Sequence, residues 1–222
     1  MTPGAQHGKT LLLYFLAIWL PPALLIAIVT ALLVNDQSKQ VMQAAVLKQH
    51  AEVQAAKELL SERLSGVEAD ILYLAEQLQQ LDSLTQTTGL FENFQRHHPQ
   101  YYQIRLIDAA GHERVRVELR DGHPHALSQE ALQDKSYRYY VQQGLQLPMG
   151  SIYLSPFDLN VEHGEVEIPL RPTIRVVTRT GSNHSQPGAL VVINYDGQGL
   201  LEALSQLQSS SGAALWLINS NG

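Results

Sequence analysis

Polar and apolar positions divide the chain into unlike stretches. Thr10 to Val34 runs for 25 residues without Asp, Glu, Lys, Arg or His. A helix rises about 1.5 Å per residue and a bilayer core is about 30 Å thick, so about 20 apolar residues suffice to cross it. Trp19 and Pro21-Pro22 lie inside the run. Proline kinks a helix, but membrane spans tolerate it. A cleaved signal peptide would carry a shorter apolar region, about 7–15 residues, and a small-x-small cleavage site. Neither fits, so residues 10–34 are predicted to form an uncleaved transmembrane helix. Lys9 and the amino terminus precede the span, whereas Asp36 and Lys39 follow it. The positive-inside rule then favours residues 1–9 in the cytoplasm and residues 35–222 outside.

The next stretch, from about Asp36 to Leu84, has no proline and a single glycine, Gly66. Ala, Gln, Glu, Leu and Lys dominate it, all good helix formers. Leu60, Leu64, Val67, Ile71, Leu74, Leu78 and Leu81 are spaced 4, 3, 4, 3, 4, 3. That spacing is a heptad seam. Towards the membrane the seam continues more weakly through Met42, Ala45, Val53 and Ala56. Such a stripe either packs on its own domain or forms a homodimer contact that carries signal, and one long helix can do both. The helix is expected over residues 35–88, with Thr85–Gly89 breaking the pattern and Pro99 marking a new start.

The pattern then changes to strands. Tyr101–Asp108 and Glu113–Arg120 read as strands joined by a turn at Ala109-Ala110-Gly111. In the second, Val115, Val117 and Leu119 alternate with Arg114, Arg116, Glu118 and Arg120, as in a half-buried antiparallel strand. Asp121-Gly122 ends it with a turn. Ser128 to about Gln133 predicts a short helix capped by Ser128. Gly150–Leu154 predicts a strand. Glu165–Thr180 predicts strand material interrupted by Pro169 and Pro172, and Gly181–Gly188 a polar turn. Ala189–Tyr195 predicts an apolar strand, Gly197–Gln208 a helix and Ala213–Ile218 a last strand. The layout is α+β. An Asn-Gly pair normally leads into a return strand, so the chain is expected to be a fragment of a longer protein.

Composition narrows the function. The chain holds 15 Lys+Arg against 21 Asp+Glu, a net charge of -6. That balance argues against nucleic-acid binding, which needs a basic surface. The 45% hydrophobic content is raised by the span, and there is no cysteine, which excludes disulfides, thiolate zinc sites and cysteine nucleophiles. His97-His98 and His123-Pro124-His125 lack metal-ligand spacing and read as loop histidines. Asp158, Glu162, Glu165 and Glu167 could supply an acid/base pair, but loop acids on a solvated edge explain them more simply. There is no nucleophile elbow, phosphate loop or dinucleotide fingerprint, so the chain is expected not to be an enzyme and to need no cofactor or metal. Tyr137-Arg138-Tyr139-Tyr140 and Tyr153 suit a small organic anion or amino acid. Arg would grip a carboxylate and the rings would form walls. Ordinary surface packing is the competing account.

Tyr102–Val117, Leu132–Lys135 with Arg138-Tyr139-Tyr140, Ile152-Tyr153-Leu154-Ser155-Pro156-Phe157-Asp158, Pro172–Arg175 and Val191–Tyr195 occur in the order of a known family. From about Asp36 onward the chain resembles the double-Cache, PAS-like extracytoplasmic sensor domains of bacterial sensor histidine kinases and diguanylate cyclases. The resemblance implies a long helix rising from the membrane and a membrane-distal PAS-like sensor module at 89–208. Residues 209–222 would open a second, membrane-proximal module. It also implies a small-molecule ligand. In amino-acid-binding relatives an Arg precedes an aromatic pair by two positions, followed by Tyr-x-Asp and a later Asp. Tyr139-Tyr140, Tyr153 and Asp196 match this pattern. Tyr137 stands at the Arg position, Ser155 at the first acid, and Arg138 is displaced by one. The implied ligand-binding residues are Arg138, Tyr139, Tyr140, Tyr153 and Asp196. The alternatives are a chemoreceptor sensor region or, in a different class, a membrane-anchored periplasmic enzyme or assembly factor.

Overall fold

The structure, a computed structural model, describes residues 4–162, 164–181, 188–209 and 217–218. The chain divides into two compact units, residues 1–52 and 53–222. In the first unit the described residues belong to helix α1 (Gly4–Leu78). Pro21 and Pro22 lie within it. Tyr14, Trp19, Leu24 and Leu33 are all exposed. α1 is long and apolar enough to cross a membrane, its most apolar window reaching a mean hydropathy of 2.4. Thr30 donates its hydroxyl to the Ile26 carbonyl at 2.8 Å, so a polar side chain in this stretch is satisfied locally.

In the second unit the C-terminal part of α1 supplies an apolar stripe. Val67, Ile71, Leu74 and Leu78 are buried, while Leu60, Leu64 and Leu81 are partly buried against the same core. The heptad seam therefore packs on its own domain over this length. The helix stops at Leu78, short of the expected residue 88. The Gln79 and Gln80 N–H groups bond to Glu76 and Gln77 at 3.1 and 3.0 Å, the tightened last turn of a terminating helix. The chain then restarts in α2 (Leu84–His97). Thr85–Gly89, expected to break the pattern, are helical. The cause is a capping box in Ser83-Leu84-Thr85-Gln86. The Gln86 N–H donates to Ser83 Oγ, and the Ser83 N–H to Gln86 Oε1, each at 3.2 Å. Thr87, Phe91 and Gln95 form the buried face of α2.

The sheet comprises β1 (Tyr101–Ile107), β2 (Glu113–Arg120), β3 (His123–Ala126), β4 (Ile152–Leu154), β5 (Asp158–Leu159), β8 (Pro172–Arg179) and β9 (Leu190–Asp196). Its order is β3-β2-β1-β9-β8-β4, with β5 beside β8. Every pairing is antiparallel. Among the described residues, β6 (Val161–Glu162) and β7 (Glu165–Val166) pair only with each other. His123 and His125, read from sequence as loop residues, lie on β3, the return strand of a hairpin. Asp121 and Gly122 both have positive φ, 49° and 76°, as the two-residue hairpin turn demands.

Helices cover both faces of the sheet. Ile104, Leu106, Val115, Val117, Val191 and Ile193 pack with α1 and α2. Ile107, Val177, Leu190 and Val192 pack with Tyr140 and Val141 of α3 (Tyr139–Leu145), a helix not expected from the sequence. Burial on both faces explains why β9 reads as a continuous apolar run as far as Ile193. It also corrects the half-buried reading of β2, because Arg116 is buried beside Val115 and Val117. The segment expected to form a helix at Ser128–Gln133 is a single 3-10 turn, Gln129–Ala131, without a Ser128 side-chain cap. α4 (Gln198–Ser209) follows β9, close to expectation. Most of the turn expected at Gly181–Gly188 and of the strand expected at Ala213–Ile218 lies outside the described residues.

Candidate functional site

On the α3 side of the sheet, β1, β2, β8 and β9 present Gln103, Arg105, Arg116, Arg175 and Asn194, all buried. Unpaired, such groups would cost several kcal/mol each, on the order of 2–7 for a neutral polar group and more for a charge. They are paired with one another and with residues brought in by the segment 133–135 and the β5–β7 loop.

The first cluster centres on Glu162. Its Oε1 accepts from Arg105 Nη2 at 2.8 Å and from Asn160 Nδ2 at 3.3 Å. Its Oε2 accepts from Arg116 Nη1 at 3.0 Å, Lys135 Nζ at 3.1 Å and Gln133 Nε2 at 3.3 Å. Burial pushes the Glu162 carboxyl up, but Arg105, Arg116 and Lys135 outweigh it and hold it well below the usual carboxylate range. Burial, and then the Arg105 charge, push the Lys135 ammonium down against the pull of Glu162 and Glu113. Glu113 adds a second buried carboxylate, with Oε1 3.0 Å from Arg105 Nε. That contact is an ion pair without hydrogen-bond alignment, so both atoms lack a hydrogen bond among the described residues. Lys135 reaches the cluster because its N–H donates to the Gly111 carbonyl at 2.9 Å. Gly111 has φ +90°, and a Cβ there would sit 2.5 Å from Ser136 Cα, so this turn requires glycine.

The second cluster centres on Arg175, whose side chain is 1% exposed. It donates to Asp158 Oδ1 at 2.5 Å and to Asn160 Oδ1 at 3.2 Å. Its guanidinium lies 5.3 Å from the Tyr140 ring centroid. Tyr139 donates its hydroxyl to Asp158 Oδ2 at 2.7 Å. Burial, reinforced by that carboxylate, pushes the Tyr139 phenol up to about 12. Asn160 joins the two clusters, its amide reaching Glu162 on one side and Arg175 on the other. Beside them a cavity of about 540 Å³ is lined by Tyr102, Gln103, Arg116, Glu118, Glu162 and Arg171, among others.

The residues implied by the sequence fall around α3, with one exception. Tyr139 and Tyr140 meet edge to face at 5.7 Å. Arg138 lies 5.6 Å from the Tyr140 ring centroid. Tyr153 on β4 packs against the same apolar cluster as Tyr140. Asp196 stands at the end of β9, opposite Thr173, and accepts from the Gln198 N–H at 2.9 Å, capping the start of α4. Arg105, Glu113, Arg116, Lys135 and Arg175 carry no site reading in the sequence. Their signal was charge inside otherwise apolar strands: Arg105 between Ile104 and Leu106, and Arg175 between Ile174 and Val176. Glu162, read as a loop acid on a solvated edge, is instead the shared acceptor of a buried cationic group. Of the loop histidines, His98 stacks on Phe94 at 4.1 Å, and its Nδ1 lies 3.4 Å from Asp70.

The sequence profile of the family described as bacterial histidine kinase, sensor domain, matches residues 53–222. The chain belongs to that family. Its fold class and its place among sensory rather than catalytic modules follow. No curated protein sequence matches the chain. Among solved structures, it resembles a domain of a sensory box/GGDEF family protein from Vibrio parahaemolyticus, with TM-score 0.58 and 22% identity over 73% of this chain and 62% of that one. It also resembles the extracellular domain of vpHK1S-Z8, described as a histidine kinase, with TM-score 0.55 and 24% identity over 72% and 59% of the two chains. The ligand-binding domain of the Campylobacter jejuni chemoreceptor Tlp3, solved with 4-methylisoleucine, aligns with TM-score 0.56 and 10% identity over 74% and 62%. At these identities the likeness concerns the fold. The chain spans about 60% of the length of these solved domains.

Proposed function

We propose that the chain is the extracytoplasmic sensing region of a bacterial transmembrane receptor, held in the inner membrane by residues 10–34. A sensor histidine kinase is the favoured output, with a diguanylate cyclase next, since the family is defined on kinases and one structural neighbour carries the GGDEF name. One observation carries the reading. Buried charge is gathered on one sheet face beside a cavity, in a module whose other face is an apolar core. Evolution rarely keeps such an arrangement for stability alone, because hydrophobic replacements of buried ion pairs are often neutral or stabilising.

In this reading a small molecule binds on the α3 side. Arg138, Tyr139, Tyr140 and Tyr153 form its wall, and Asp196 closes the β9 end beside Thr173. Binding biases one of two arrangements of sheet and helix, and α1 passes that bias towards the membrane as one linked equilibrium. β1 supports the coupling, because it holds Arg105 on the ligand side while Tyr101 donates to Asp70 on α1. A homodimer through Met42, Ala45 and Val53 gives the bias a partner helix to act on. The test is a thermal-shift screen of the full chain in detergent with amines, organic acids and amino acids. At least one compound should stabilise it, and Arg138→Ala combined with Tyr153→Ala should abolish that shift. Stabilisation unchanged in the double variant would remove the assigned wall.

A further inference from the structure

We propose that the Glu162 carboxylate occupies the seat of the signal, and that a small organic carboxylate binds by displacing it from Arg105, Arg116 and Lys135. This rests on the ligand-sensing reading and names the ligand class for it. The seat has the shape of a carboxylate. One oxygen is held by Arg105 at 2.8 Å, and the other by Arg116 and Lys135 at 3.0 and 3.1 Å. A planar acceptor with two oxygens satisfies this fork. The cations are fixed independently of their occupant. Arg105 and Arg116 sit in facing register on β1 and β2, and Lys135 is held through its N–H on Gly111.

Glu162 is tethered far more loosely than the seat. It lies on a two-residue strand that, among the described residues, pairs only with the two-residue β7, outside the main sheet. An isolated two-stranded hairpin is marginal in water. The following residues Val166, Ile168 and Leu170 are exposed, so little apolar burial holds this segment down. The Asn160 N–H donating to Arg171 and the Glu167 N–H donating to Asn160 anchor its base, at 2.8 and 3.0 Å. Between them, the Glu162 side chain is the main attachment to the seat. The cavity beside it is lined by both Arg116 and Glu162, which gives an incoming anion a path to the same atoms.

Without an anion the seat is unbalanced. Arg105, Arg116 and Lys135 would face Glu113, with Glu118 engaging Arg116 from the rim. The Arg116 Nε has no hydrogen-bond partner among the described residues even with Glu162 in place. Exchange of one carboxylate for another therefore keeps the seat neutralised while freeing the β6–β7 hairpin. The hairpin position thus reports whether the seat holds the protein's own carboxylate or a ligand.

The experiment compares the full chain and its Glu162→Gln variant in nanodiscs, titrated with sodium acetate and with disodium succinate. Sodium phosphate and methylammonium chloride serve as controls at matched ionic strength. With the internal competitor gone, Glu162→Gln should bind acetate or succinate at least about tenfold tighter than the parent chain. Adding Arg116→Gln should remove the gain. Amide exchange at Val161–Val166 should rise in Glu162→Gln, and in the parent chain when succinate is present. A variant that folds only with a carboxylate present would support the exchange as chemical rescue. Affinity unchanged or weaker in Glu162→Gln, an equal gain for phosphate or methylammonium, or a variant that stays unfolded with carboxylate present would overturn it. If the parent chain answers an amine or a neutral compound while Glu162→Gln gains nothing, the sensor reading survives and the exchange fails. If no compound in the wider screen stabilises the parent chain, the sensor reading itself fails.

Discussion

Asp158 and Arg175 form an ion pair at 2.5 Å in which the cation is buried and the carboxylate is one-third exposed. The pair is thus asymmetric. Removing the acid strands a desolvated guanidinium, whereas removing the base leaves a carboxylate that water can still reach. Asp158→Ala should destabilise the domain by about 2–3 kcal/mol, and Arg175→Met by clearly less. Urea unfolding of the full chain in detergent gives both values, and equal losses would contradict the asymmetry.

Acid should unfold the protein partly through Glu162. Its carboxyl is held well below the usual range by Arg105, Arg116 and Lys135, with Glu113 the neighbouring acid. In the unfolded chain a Glu titrates near pH 4.3, so the unfolded state takes up the proton first. This contribution is complete above about pH 4.3 and is lost as pH falls through the folded value. The thermal midpoint should hold from about pH 7 to about pH 5 and fall below about pH 4. Glu162→Gln should flatten that fall, leaving a smaller slope from Glu118, which Arg116 and Arg120 also hold low against burial. An unchanged profile would mean the carboxylate is not ionised in this seat.

Ser83→Ala should cost about 1 kcal/mol by leaving the α2 N-terminus uncapped. Gln86→Ala should cost less, and the double variant should fall short of the sum, because both residues serve one box. Amide exchange at Gln86 and Thr87 localises the effect.

The absence of cysteine makes cross-linking clean. Single cysteines at Met42 and at Val53 should form disulfide-linked dimers in membranes under mild oxidation if α1 pairs along its weaker seam. Ala51→Cys, on the opposite side of the helix, should not. Equal yields at all these positions would argue against a defined dimer seam.

The alternation of β2, the apolar run of β9 and the Asp-Gly turn were enough to place the sheet's main strands. The heptad spacing located the helix that packs on it. What escaped was of two kinds. The start of α2 was written in Ser83-Leu84-Thr85-Gln86, a local signal outweighed by the threonines and glycine that follow. The charged clusters were not local at all. Alternation shows that Arg116 and Val117 point to different faces, but not that the Arg116 face is covered. Its cover comes from Glu162, 46 positions away. A sequence pattern reports the period of a strand, whereas closure over a charged face depends on contacts that no period encodes. For the same reason Tyr139-Tyr140 was legible as a group while Arg175, which lies against the Tyr140 ring, was not.

The central ladder of the sheet joins β1 and β9, the earliest and latest strands among the described residues, and places Arg105 within reach of Asn194, 89 positions apart. Such long closures slow folding. As the chain is made, the β3-β2-β1 group lacks its inner neighbour until β9 follows. Through that interval α2 has β1, β2 and β3 to pack on, but the stripe from Val67 to Leu78 lacks Val191 and Ile193 of its core. The domain therefore has a window of vulnerability to aggregation and proteolysis that closes only when β9 arrives.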